Sequence, residues 1–147
     1  MIKTTIALLL AGVAGAALAQ TTSPVGLWKT IDDETGKEKS YVRITETGGV
    51  LSGKIEKLID PTQPNPKCDK CTDERKDAPV VGLNIIRNVK KDEDRSDLWE
   101  GGDILDPNNG KVYKVRLKPE DGGKKLTVRG YIGMPMLGRS QTWVRVE

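Results

Sequence analysis

The sequence predicts an all-β fold, a single small antiparallel up-and-down β-barrel of about eight strands, on three observations. Beyond an apolar leader, the chain keeps one alanine, Ala78, against 11 valines, 8 isoleucines and 14 glycines. Alanine is the strongest helix former, whereas β-branched residues suit pleated surfaces and glycine suits tight turns. Apolar and polar residues then alternate with period two through several segments, and short glycine- or asparagine-rich stretches separate them.

The leader, Met1 to Ala19, reads as a secretory signal peptide. Lys3 supplies the positive start, Ile6 to Val13 the apolar centre, and Ala17-Leu18-Ala19 the small residues that signal peptidase requires. Cleavage is expected after Ala19, leaving residues 20–147 as one barrel domain in the periplasm or outside the cell. The apolar run falls short of the roughly 20 residues of a membrane span. Gln20 rather than cysteine follows the cut, so no lipid anchor is expected.

Eight extended segments follow, each bounded by turn chemistry. Val25 to Thr30 ends at Asp32-Asp33-Glu34-Thr35-Gly36, Glu38 to Glu46 ends before Gly48-Gly49, and Val50 to Ile59 is the third. Leu83 to Lys90 and Leu98 to Leu105 flank the mixed charge run Lys90 to Arg95, a solvated hairpin tip. Lys111 to Lys118 places Tyr113, Val115 and Leu117 on one face and Val112, Lys114, Arg116 and Lys118 on the other. Lys124 to Ile132 sets Leu126, Val128, Gly130 and Ile132 against Thr127, Arg129 and Tyr131, and Ser140 to Glu147 completes the set. Such alternation means one covered and one wet face. Asn108-Asn109-Gly110 and Asp121-Gly122-Gly123 tolerate the positive φ that two-residue hairpins demand. Consecutive hairpins make a meander, and closing it into a barrel, rather than a two-sheet sandwich, abolishes exposed edges.

One segment breaks the rhythm. Residues 60–79 carry Pro61, Pro64, Pro66, Pro79 and both cysteines, a loop of a length that is usually functional or specially tied down. Cys68-Asp69-Lys70-Cys71 is read as a local disulfide stiffening that loop, with a redox centre or a metal as the alternatives. The entropic benefit of closing so short a loop is small.

Composition removes several function classes. The 147 residues contain no histidine, which excludes Ser-His-Asp and Cys-His nucleophiles, an imidazole base and a His-ligated zinc. The 24 lysines and arginines against 21 carboxylates give +3, with no dense basic run, so no nucleic-acid partner is expected. Glu100, Asp103 and Asp106 lack the ligand spacing of a calcium loop and read as turn chemistry. No metal, cofactor or catalytic residue is assigned. With no phenylalanine, six Trp and Tyr carry all aromatic packing, and each has a polar edge seeking a partner.

Gly26-Leu27-Trp28 at the first strand resembles the Gly-x-Trp of lipocalins and their relatives. The resemblance implies a tryptophan closing one barrel end beneath an arginine of the last strand, for which Arg139 and Arg145 are candidates. Longer stretches carry a second resemblance. They are Pro24 to Trp28, Pro79 to Leu83, Trp99-Glu100-Gly101-Gly102-Asp103-Ile104-Leu105-Asp106-Pro107, Asn109 to Tyr113, Leu126 to Gly133 and Gly138 to Trp143. Over roughly Ser23 to Val146 they resemble a family of exported bacterial proteins catalogued as domain of unknown function 2147. That resemblance implies a lipocalin-like barrel and no established activity.

The expected function is a periplasmic binding module for a small apolar or amphiphilic ligand. Trp28, Trp99, Tyr113, Tyr131 and Trp143 are candidates to line or shut the cavity, with Arg129 or Arg139 holding an acidic head group. The alternative is a structural or interaction protein of the cell envelope, with enzymatic activity ranked last.

Overall fold

Strands form where the alternation places them. The computed structural model describes residues 22–147, so the expected signal peptide, 1–19, lies outside the described residues. The strands are β1 (Gly26–Ile31), β2 (Glu38–Thr47), β3 (Val50–Leu58), β4 (Asn84–Lys91), β5 (Trp99–Leu105), β6 (Val112–Glu120), β7 (Lys125–Tyr131) and β8 (Arg139–Arg145). Each pairs antiparallel with its neighbour in sequence, and β1 pairs with β8, closing the barrel. The inward faces bury Val42, Ile44, Leu51, Ile86, Val115, Leu117 and Leu126, while Lys54, Glu56 and Lys114 point out to solvent. No helix among the described residues is long and apolar enough to cross a membrane.

The turns are more varied than the expected two-residue hairpins. Gly48-Gly49 joins β2 to β3 as such a turn, both residues at positive φ. Between β5 and β6 the connection is wider, because the Asp106 side chain accepts the Asn108 N–H and the Asp106 carbonyl accepts the Gly110 N–H. Between β6 and β7 a single 3-10 turn spans Asp121–Gly123. The end of β7 also departs from strict alternation. The strand stops at Tyr131, which is buried although its parity points it outward, and Ile132, expected inside, is 64% exposed beyond it. Gly133 at φ 80° turns the chain out of the sheet there, so parity no longer applies.

The seam between the first and last strands carries the plug of one barrel end. Trp28 and Arg145 are register partners across it. The Trp28 ring is fully buried and its Nε1 donates to the Pro24 carbonyl at 2.7 Å. The Arg145 guanidinium stacks 4.3 Å from the ring centroid. Its nitrogens donate to the carbonyls of Ser23 (2.6 Å), Val25 (2.8 Å) and Gly123 (2.5 Å). Among the described residues no carboxylate pairs with Arg145, so carbonyl dipoles and the ring face hold its charge. Burial lowers its pKa from the ordinary arginine value. Gly26 explains the first letter of the Gly-x-Trp stretch. At φ 144° a Cβ there would lie 2.5 Å from an Arg145 nitrogen and 2.4 Å from the Glu147 carbonyl oxygen. The other candidate, Arg139, sits at the opposite end of β8, on Asp33.

Truncating Arg145 to alanine removes three charge-assisted hydrogen bonds and the ring contact, an expected loss of about 2–4 kcal/mol in urea unfolding. Arg145→Lys should restore less than half of it, because one ammonium cannot span three carbonyls and the ring. A lysine variant as stable as the parent would contradict this account.

Candidate ligand-binding site

Antiparallel order sends the connections 32–37, 59–83, 106–111 and 132–138 to the barrel end opposite Trp28. There a cavity of about 930 Å³ opens between these connections and runs down into the barrel. Sites for small molecules commonly run about 300–1,000 Å³. The cavity reaches as deep as Ile55, Val128 and Trp143, while Trp28, Ile44, Leu51, Leu117 and Leu126 fill the other half of the barrel. Gly130 adds width, since its missing side chain leaves the Tyr113 Cβ 3.5 Å from where a Cβ would stand.

The cavity has two chemically distinct walls. Thr30 and Ser40, partners across β1 and β2, place their hydroxyls 2.7 Å apart, and each residue is 7% exposed. Beside them on β8, Gln141 Oε1 accepts the Trp143 indole N–H at 2.9 Å, and Gln141 Nε2 lies 3.5 Å from Asp33 Oδ1. Strands β8, β1 and β2 therefore present neutral polar groups. Across the cavity Ile55, Leu58, Ile85 and Ile104 of β3, β4 and β5 present hydrocarbon. The Tyr113 hydroxyl accepts a hydrogen bond from Asn109 Nδ2 at 3.0 Å.

The proline-rich loop forms part of the wall, and three devices hold it. Lys67 bridges to Pro79, and Cys68 and Cys71 form a disulfide whose cysteines are 0% and 2% exposed within the hydrophobic core. Its bond thus adds core packing to the small entropic benefit of a short loop. Arg75, 5% exposed, grips Asp73 with Nη2 at 2.6 Å and donates Nη1 to the Asn84 carbonyl at 2.8 Å. Arg87 on β4 reaches Glu74, and lies 3.6 Å from Asp73 and 3.7 Å from Asp103. Finally Gly110, at φ 73°, lets the β5–β6 turn pack on the loop, since a Cβ there would fall 1.8 Å from the Lys70 carbonyl oxygen.

Of the residues proposed from sequence, Tyr113, Tyr131, Arg139 and Trp143 border the cavity, whereas Trp28, Trp99 and Arg129 do not. Trp28 is the plug of the far end. Trp99 is buried near that same end under the Lys91 ammonium, 5.5 Å from its ring centroid. Arg129 points outside the barrel, where Nε donates to the Pro135 carbonyl at 2.6 Å and Nη1 to Ser140 Oγ at 2.8 Å. Neither arginine is positioned for an acidic head group, because Arg139 is engaged at the rim by Asp33 (2.7 Å) and Glu34 (2.9 Å). Thr30, Ser40 and Gln141 were missed by sequence reasoning. The signal was there, since each stands two residues from an inward apolar side chain, Trp28, Val42 and Trp143. Beside the mouth, the 132–138 connection exposes Ile132, Met134, Met136 and Leu137. Among the described residues no cluster of Cys, Asp or Glu could hold a metal ion.

A family model matches residues 26–145, and its description is an uncharacterized protein conserved in bacteria, domain of unknown function DUF2147. The chain belongs to the DUF2147 family. Among solved structures, this DUF2147 chain is similar to a protein of the human pathogen Helicobacter pylori described as belonging to the lipocalin family. The TM-score is 0.73 at 20% identity, over 86% of this chain and 85% of that one. At that identity the likeness establishes the lipocalin-like barrel and nothing finer. No curated protein matches the sequence.

The loop anchor has a pH signature. Hydrogen bonding to Arg75 lowers the Asp73 carboxyl from 3.8 to about 2. A depressed carboxyl stabilises the folded state above its unfolded value and ceases to do so as pH falls through the folded one. The Asp73→Asn variant should therefore be less stable than the parent at neutral pH by urea unfolding. That gap should narrow below about pH 4 and close near about pH 2. A gap constant with pH would assign Asp73 another role.

Proposed function

We propose that this DUF2147 protein is an exported, periplasmic binding module that takes a small amphiphilic molecule into the barrel end opposite Trp28. One observation carries the reading, a cavity of about 930 Å³ with a neutral polar wall on β8, β1 and β2 facing an apolar wall on β3, β4 and β5. A ligand of one polarity would leave one of these walls without partners. The signal-like leader supports export, and the disulfide Cys68–Cys71 fits an oxidising compartment. Binding is preferred to catalysis, because the chain has no histidine to act as a base and Asp32, Asp33, Glu34 and Asp106 at the mouth serve turns and ion pairs.

A second reading, an interaction module of the cell envelope, draws support from one feature. Four large apolar side chains stand exposed within the seven residues 132–138, in the manner of surfaces that meet partners.

Native mass spectrometry of protein purified from its own periplasm should show a co-purifying small molecule released on denaturation. Gly130→Leu should abolish that adduct, because a Cβ there already touches Tyr113 and Ile104 and the longer side chain fills the cavity between them; thermal unfolding checks that the variant still folds. An apo mass for the parent protein, together with failure to take up any neutral amphiphile, would sink the reading.

A further inference from the structure

We infer that the ligand is uncharged along the part that enters the barrel, a neutral amphiphile bearing hydroxyl, carbonyl or amide groups rather than a carboxylate or an ammonium. The inference rests on the binding reading above and narrows it to a chemical class.

Every polar group inside the cavity is neutral. Thr30, Ser40, Gln141, Tyr113 and the Trp143 indole supply hydroxyl, amide and N–H groups, and all charged lining residues lie on loops or strand ends at the rim. The arginines that could neutralise an anion are committed elsewhere. Arg145 lies behind Trp28, bonded to three backbone carbonyls. Arg129 clasps the outside of the 132–138 connection, and Arg139 is held by Asp33 and Glu34. The rim offers no cationic field in their place, with six carboxylates against four cations among the lining residues. A carboxylate drawn inside would surrender its hydration to a site with no counter-charge, which costs far more than hydroxyl or amide desolvation. An ammonium carried below the rim meets the same penalty, because the carboxylates stay at the rim.

The neutral wall can still recognise polarity. Thr30 and Ser40 share one hydrogen bond, which consumes one of their two hydroxyl protons and leaves the other free to donate. Gln141 Nε2 carries two protons, and its one protein neighbour, Asp33 Oδ1, is at 3.5 Å. Donors and acceptors thus lie together on one side of the cavity, opposite Ile85 and Ile104. The expected pose sets the polar edge of the ligand on β8, β1 and β2 and its hydrocarbon against β3, β4 and β5.

The test is a matched series of one chain length, decanol, decanamide, decanoate and decylammonium, competing against the neutral fluorescent probe N-phenylnaphthylamine. Near neutral pH, decanol and decanamide should bind at least about tenfold more tightly than either ion. Decanoate should recover as it protonates towards about pH 4, while decanol stays constant. Gln141→Leu and, separately, Ser40→Ala should each reduce the advantage of decanamide over decane, added to the series as its apolar reference, with thermal unfolding confirming that the barrel is intact. Decanoate or decylammonium binding as tightly as decanol near neutral pH overturns the inference and leaves the binding reading standing. Failure of the parent protein to take the probe and every member of the series overturns both.

Discussion

Closure of the sheet by the β1–β8 seam is the constraint on which the remaining structure depends. Eight hairpin-connected strands leave two free edges unless the ends of the chain meet, and they meet where Trp28 lies opposite Arg145. One guanidinium there gathers the segment before β1, the β6–β7 turn and the ring that stoppers the barrel. A half-buried arginine without a carboxylate loses part of its hydration, and here ordered carbonyls and an aromatic face offset the lost water. Glycine at position 26 is the steric condition for that approach.

Sealing one end with tryptophan and leucine determines what the other end can be. Trp28, Ile44, Leu51, Leu117 and Leu126 pack the Trp28 half, whereas in the opposite half Tyr113, Trp143, Ile55, Leu58 and Ile104 line a wall rather than fill the space. A cavity remains, and the 59–83 connection becomes part of its wall rather than a free loop. The connection keeps its shape because its cysteines and Arg75 are buried like core residues, so loop order and cavity shape are one property. The aromatic polar edges follow the same economy. Trp28 donates to Pro24, Trp143 to Gln141, and the Tyr113 hydroxyl accepts from Asn109. Polar features inside the barrel are thus a consequence of building its aromatic packing without phenylalanine.

Much of the fold was legible because its information is short-range. Period-two alternation and Gly or Asn punctuation act within a few residues, and all eight strands lie within two residues of the segments they predict. The signal faded where a strand ends. At Tyr131 and Ile132 the sheet stops, and burial is decided by the 132–138 connection rather than by parity. The candidate site was legible only in part for a related reason. Aromatic residues attract attention as ligand contacts, yet Trp28 and Trp99 went to the packed half, while Thr30, Ser40 and Gln141 were overlooked because small polar residues read as solvent-facing.

From the order of residues alone came the class of fold, the strand count, the family resemblance and the tryptophan at one end, since each is written in local pattern or contiguous motif. Which arginine covers that tryptophan, which strands form the polar wall and how much room is left between the walls were settled by the tertiary structure. Those outcomes depend on how far the strands stagger on closure and on contacts between residues over a hundred positions apart, such as Arg145 with Val25. No local pattern encodes that distance, because closure is a property of the whole sheet.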